Sequence, residues 1–196
     1  MQSPEVVRTR FADVQRRVGE SVTIVAATKY VPLSDMATLL EAGVTVVGEN
    51  RAQDLEAKHA EYGDAFRWHF IGHLQSNKVK VVNGICELVH SLDSESAASR
   101  LEVPALVQVN LAGEGSKSGV DPTEIADYLR YEVRGLSTMP PAAPTPEGSR
   151  PWFARLRQLA AENGLRELSM GTTQDFAVAA EEGATYVRVG SILFAD

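Results

Sequence analysis

The chain has 196 residues, 44% of them hydrophobic, which is enough for one substantial core and fits a single domain over residues 1–196. Its net charge is −7 with a pI near 5.2, and the two signs are interspersed, which argues against a nucleic-acid groove or an anionic membrane surface as the partner. Cys86 is the single cysteine, so no internal disulfide can form; no apolar run reaches membrane-spanning length, and the charged N-terminus does not read as a signal sequence, so a cytoplasmic setting is expected.

Residues 4–19 have helical periodicity, with Val6, Val7, Phe11, Val14 and Val18 on one face and Gly19 as a stop. Strands and helices then alternate. The first strand is read over 22–28 and its helix over 34–42, ended by Gly43. The second strand covers 44–49, with a helix over about 51–62, and the third covers 67–71, with a helix around 74–82. A fourth strand is read over 87–91, with a short helix from Ser94. The fifth strand spans 105–111, and the helix after it opens on Asp121, Pro122 and Glu124, an N-cap, a first-turn proline and a capping-box partner. The sixth strand is read over about 132–137 with a helix over about 151–163, the seventh over 167–170 with a helix over 174–182, and the eighth over 185–189.

Eight strand-then-helix units, lacking only the last helix, predict a single (β/α)8 TIM-type barrel with an additional N-terminal helix. A doubly wound open sheet is the alternative, but eight parallel strands laid open would leave two edges to protect. Two crossovers are tight: about a dozen residues separate the fourth strand from the fifth, and about as many hold the helix after Asp121. The proline-rich stretch 139–151 follows a strand and so lies on the mouth side, as a stiff surface loop or a partial lid.

The carboxyl ends of barrel strands converge on one mouth. Lys29 ends the first apolar strand, and an amine held there, partly desolvated, can attack a carbonyl to form a Schiff base; taken alone, it favours the plainer reading of a lysine snorkelling to water. Ser169, Gly171, Thr172 and Thr173 lead into a helix, where free N–H groups favour an anion, although simple N-capping accounts for the threonines as well. Arg188, Gly190 and Ser191 add a cation, a close backbone approach and a hydroxyl. A lysine amine, a phosphate cradle and a planar cation together point to pyridoxal 5′-phosphate (PLP). Arg188 beside the pyridine nitrogen would keep that nitrogen unprotonated, because a permanent cation disfavours a second charge nearby.

These motifs carry a resemblance. Ala26-Ala27-Thr28-Lys29, Gly48-Glu49-Asn50-Arg51-Ala52-Gln53, the run from His69 to Lys78, Ser116-Lys117-Ser118-Gly119, Leu168-Ser169-Met170-Gly171 and Val187-Arg188-Val189-Gly190-Ser191 resemble the pyridoxal phosphate homeostasis proteins, relatives of the N-terminal barrel of alanine racemase. The segments run from the first strand to the last. The resemblance implies that Lys29 is the Schiff-base lysine and that Asn50 lies beside the ring. It implies a phosphate surrounded by Ser169, Gly171, Thr172, Thr173, Gly190 and Ser191, with Arg188 facing the pyridine nitrogen. The chain departs from the family in carrying Thr172 and Thr173 where methionine and serine are usual, and Ser137 where methionine is common; it is also some tens of residues shorter than the resemblance implies.

Other motifs read more plainly. His69 and His73 have the spacing of a helical metal pair but lack the accompanying glutamate. Gly113 to Ser118 lacks the glycines of a phosphate loop, and Lys117 is read as a solvated lysine or as a second amine over the mouth. Trp68 and Trp152 are read as core or rim packing, and Cys86 as a small buried hydrophobe. Two functions follow: a protein that stores, shields or delivers PLP, with PLP-dependent apo-enzymes as expected recipients, as a monomer or weak homodimer; or an amino-acid racemase. Racemisation needs a base on each face of the substrate. With the chain ending at Asp196 and no tyrosine placed opposite Lys29, the binding protein is preferred, and a lysine aldolase explains fewer of the motifs.

Overall fold

The computed structural model describes residues 2–113 and 118–195; Ser116 and Lys117, and with them the second-amine reading, lie outside the described residues. Eight parallel strands close into a barrel in chain order. They are β1 (Thr23–Ala27), β2 (Val46–Glu49), β3 (Arg67–Phe70), β4 (Leu88–Leu92), β5 (Ala105–Gln108), β6 (Val133–Ser137), β7 (Glu167–Ser169) and β8 (Tyr186–Val189). Closure runs through β1 and β8, from Thr23 opposite Tyr186 to Ala26 opposite Val189. It leaves no open edge, the outcome the unit count favoured over an open sheet.

The helices are α1 (Pro4–Val18), α2 (Met36–Glu41), α3 (Ala52–Tyr62), α4 (Val79–Ile85), α5 (Glu95–Ala98), α6 (Ile125–Tyr128), α7 (Arg150–Glu162), α8 (Phe176–Glu181) and α9 (Ser191–Phe194). The expected face of α1 is packed except at Val6: Val7, Val14 and Val18 are buried and Phe11 packs against the core, while Val6 is half-buried beside them. Gly19 ends that helix at φ +85°, and its N–H caps Gln15 O.

Three readings need correction. The eighth unit does have a helix, the single turn α9, whose Leu193 is fully buried. The fourth helix starts later than periodicity indicated, because Gln75 is extended and the chain makes a 3-10 turn over Ser76–Lys78 before α4. The proline-rich stretch also holds a 3-10 turn, Pro146–Ser149, leading into α7. The tight crossovers close by shrinking their helices. α5 has four residues, capped by the Ser94 side chain, and α6 has four after a 3-10 turn at Pro122–Glu124. The capping box of Asp121 and Glu124 is present there, with Asp121 N donating to Glu124 Oε2 at 2.9 Å.

Candidate functional site

Lys29 follows β1 in a tight turn, with Val31 N donating to Thr28 O at 2.8 Å. The residue before it is held strongly. The Thr28 hydroxyl donates to Glu49 Oε1 at 2.6 Å, and Lys58 Nζ donates to Thr28 O at 2.8 Å. Lys58 also forms a buried ion pair with Glu49 Oε1. Glu49 is wholly buried, and its second oxygen, Oε2, has no partner among the described residues. Beyond this anchor Lys29 is exposed, its ammonium 4.8 Å from the ring centre of Tyr30. It lines a groove of about 280 Å³ between the turn after β1 and α3. The expected partly desolvated amine is therefore a rim amine. The buried pair takes up Thr28 and leaves the next two residues to turn outward.

The segments read as an anion cradle do meet. Gly190 N donates to Thr173 Oγ1 at 3.3 Å, joining the turn after β7 to the end of β8. Arg188 N donates to Gly171 O at 3.0 Å. A Cβ on Gly190 would lie 3.3 Å from Ala27 O, so this position backs closely onto β1, two residues before Lys29. Gly171 has φ +89°, and a Cβ there would come within 2.5 Å of Ala179 Cβ. Among the described residues, no acceptor pairs with the backbone N–H of Thr173 or Ser191. Thr172 is different: its N–H and hydroxyl donate to Asp175 Oδ1 at 2.7 and 3.2 Å. Thr172 is thus committed to a local cap, while Thr173 carries the hydroxyl turned toward Gly190. Asn50 sits half-buried just after β2.

Arg188 is buried. Nη1 donates to Ser169 O at 3.0 Å and to Ser169 Oγ, and Nη2 donates to Thr138 O at 2.9 Å and lies 2.9 Å from Met139 Sδ. Burial lowers its pKa to about 10, with Asp175 opposing, so it remains a cation at neutral pH. Ser169 Oγ also lies 2.7 Å from His90 Nδ1, and His90 Nε2 lies 2.9 Å from His69 Nδ1. Burial drives His69 down to about 4, with Arg67 adding to the effect. It drives His90 well below the ordinary histidine value, with His69 and Arg188 in the same direction. Both imidazoles are therefore neutral at pH 7. Beside the mouth, Met139, the prolines after it, Thr172 and Asp175 border a cavity of about 430 Å³.

Several of these groups escaped the sequence reading. Lys58 was legible in principle, since it follows Ala52 and Leu55 on the buried stripe of α3. Asp175 stands three residues after Thr172, a capping spacing. His90 lay inside a strand already recognised, but nothing local marked it as facing Ser169. His73, by contrast, is exposed and pairs with Asp93 at 3.3 Å.

Eight parallel strands closed in chain order with helices between them define a class of fold, the TIM-type barrel. The lysine/ornithine decarboxylase of Vibrio vulnificus shares that fold, with a TM-score of 0.77 at 16% identity over 98% of this chain and 63% of that one. Sequence comparison is more specific. The pyridoxal phosphate homeostasis protein of Aquifex aeolicus is 39% identical over 88% of this chain and 86% of its own length. That of Deinococcus radiodurans is 38% identical over 96% of both. PipY of Synechococcus elongatus, solved with PLP bound, superposes with a TM-score of 0.88 at 33% identity, covering 96% of this chain and all of that one. No protein-family model matches. The chain belongs to the pyridoxal phosphate homeostasis protein family.

Proposed function

We propose that this chain binds PLP, holds its aldehyde as a Schiff base on Lys29, and serves cofactor homeostasis in the cytoplasm by storing PLP or passing it to apo-enzymes. The observation that carries this is the junction of Thr173 and Gly190 against the end of the lysine-bearing strand, at Ala27. The residues fit the group. A hydroxyl, two amides without acceptors among the described residues and a glycine flush against its neighbour form a donor set for a phosphate. PLP supplies the aldehyde and the dianion; the chain supplies an amine, the donors and one fixed cation. Gly171 and Ser191 complete the phosphate side, with Asn50 beside the ring; Ser169, expected at the phosphate, is wholly buried with its hydroxyl taken by Arg188 and His90, and so serves the arginine instead. The buried Arg188 disfavours protonation of a pyridine nitrogen brought next to it.

Lys29 at the rim suits holding and release. The free ammonium keeps an exposed cation–π contact with Tyr30 worth about 0.5–1 kcal/mol, a small restraint to give up on binding. Purified protein mixed with PLP is expected to develop the visible absorbance of an imine, and Lys29→Ala to lose it. The same spectrum with and without Lys29 would overturn the reading.

A further inference from the structure

Four buried side chains from four strands form one hydrogen-bonded line across the barrel: Arg188 on β8, Ser169 on β7, His90 on β4 and His69 on β3. Its direction follows from the chemistry of the groups. A guanidinium has only donors, so Arg188 donates to Ser169 Oγ. Of the two side-chain partners of Ser169 Oγ, His90 Nδ1 alone can accept the serine hydrogen, so the arrangement that satisfies this buried hydroxyl makes Nδ1 an unprotonated acceptor. A neutral imidazole with a bare Nδ1 carries its hydrogen on Nε2, and that nitrogen donates to His69 Nδ1. His69 is left with its hydrogen on Nε2 as well. The backbone carbonyl of His90 is fixed too, by the Ser137 hydroxyl. Tyr186 stands edge-on to both imidazoles, with ring centres at 5.9 and 5.1 Å.

We propose that His90 and His69 are positioning residues for the bound cofactor: by accepting the Ser169 hydrogen they hold that hydroxyl as an acceptor for Arg188 and so fix the guanidinium at the pyridine nitrogen. This rests on the reading of the site as a PLP site. Without an acceptor at His90, the Ser169 hydroxyl is free to rotate, and Nη1 of Arg188 loses one of its two fixed acceptors. The charged groups acting on the line are Arg188 itself, Asp175 beside it and Arg67 near His69. A proton placed on His90 would turn Nδ1 into a donor, leave the buried serine hydrogen without its acceptor, and set a second cation beside Arg188. The line therefore works only with both imidazoles neutral.

The line is tested first without cofactor. Nitrogen-15 correlation spectra of the apo protein at pH 7 are expected to show both histidines neutral with the hydrogen on Nε2. A Nδ1–H tautomer or a charged imidazole at His90 would overturn the proposal whatever the protein binds. The role is tested on the PLP-loaded protein with His90→Leu and with His90→Gln, whose amide again offers one acceptor and one donor. For His90→Leu the pH midpoint of the ring-linked absorbance change should rise by about one unit, a tenfold change in ring protonation. His90→Gln should stay close to the parent. Equal midpoints in the parent and His90→Leu would refute positioning; should the leucine variant fail to fold, a tenfold shift in His90→Gln would refute it. Absence of any imine in the parent protein would instead refute the cofactor reading and leave the tautomer result standing.

Discussion

Lys58→Met leaves the Glu49 carboxylate buried without its cation. Glu49 is fully buried, one of its oxygens already lacks a partner among the described residues, and Lys58 is only 6% exposed, so solvent does little to offset the loss. Removing one member of a buried pair costs about 3–5 kcal/mol. In a domain of this size 1 kcal/mol is roughly 2–4 °C in melting temperature, so the variant should melt about 6–20 °C lower. Pairing the change with Glu49→Leu should recover much of the deficit, because a buried pair replaced by apolar groups of similar volume is close to neutral. Urea denaturation of the parent, both single variants and the double variant completes the cycle, with unchanged slopes confirming that only stability moved. A cost under about 1 kcal/mol for Lys58→Met, or a double variant no better than it, would refute the assignment of this pair as the anchor of the strand end.

Stability should also fall with acid through the histidine line. His69 at about 4 in the fold and near 6.5 when unfolded stabilises the native state fully above the unfolded value, and that contribution is lost as pH falls from about 6.5 toward 4. The loss from His69 alone at pH 5 is about 2 kcal/mol, measurable as a lower urea midpoint; the same slope in His69→Gln would contradict it. Gly171→Ala should weaken phosphate binding and lower stability by about 1–3 kcal/mol, since the new Cβ meets Ala179 at 2.5 Å from a backbone at φ +89°; an unchanged PLP titration and melt would argue against the packed turn. Cys86 is buried and its thiol is pushed up to about 12, so a thiol reagent should modify it only as fast as the protein opens, and quickly in urea; rapid reaction of native protein would contradict its burial.

Period and punctuation made the barrel legible. The strand at 67–71 and the helix opened by Asp121 are readable from residues next to one another, and the structure differs there by a residue or a turn. The meeting of Thr173 and Gly190 was legible for a similar reason, because both lie just beyond strand ends that any barrel gathers together. The direction of the Lys29 side chain was not legible. It depends on Lys58, thirty residues away from Thr28 along the chain. The histidine line was hidden in the same way, since His90 and Ser169 are separated by 79 residues and meet only once the barrel is closed. The α9 turn was missed because four residues are too few for a helical period to register.

The seam between β1 and β8 has a consequence for the order of events during synthesis. The strand that carries the lysine emerges early, yet one of its edges finds its hydrogen-bond partners only in β8, and Arg10 of α1 reaches Ala195 O at 2.6 Å. The amine therefore exists on the nascent chain well before Thr173 and Gly190 can form a site with it. Until β8 has left the ribosome the chain is a long-range, slow-folding topology with an open edge, and a reactive aldehyde in the cell would meet a bare lysine instead of a binding site. On the proposed function, uptake of cofactor waits for closure of the barrel, and a ribosome-stalled chain truncated before residue 185 should retain no PLP.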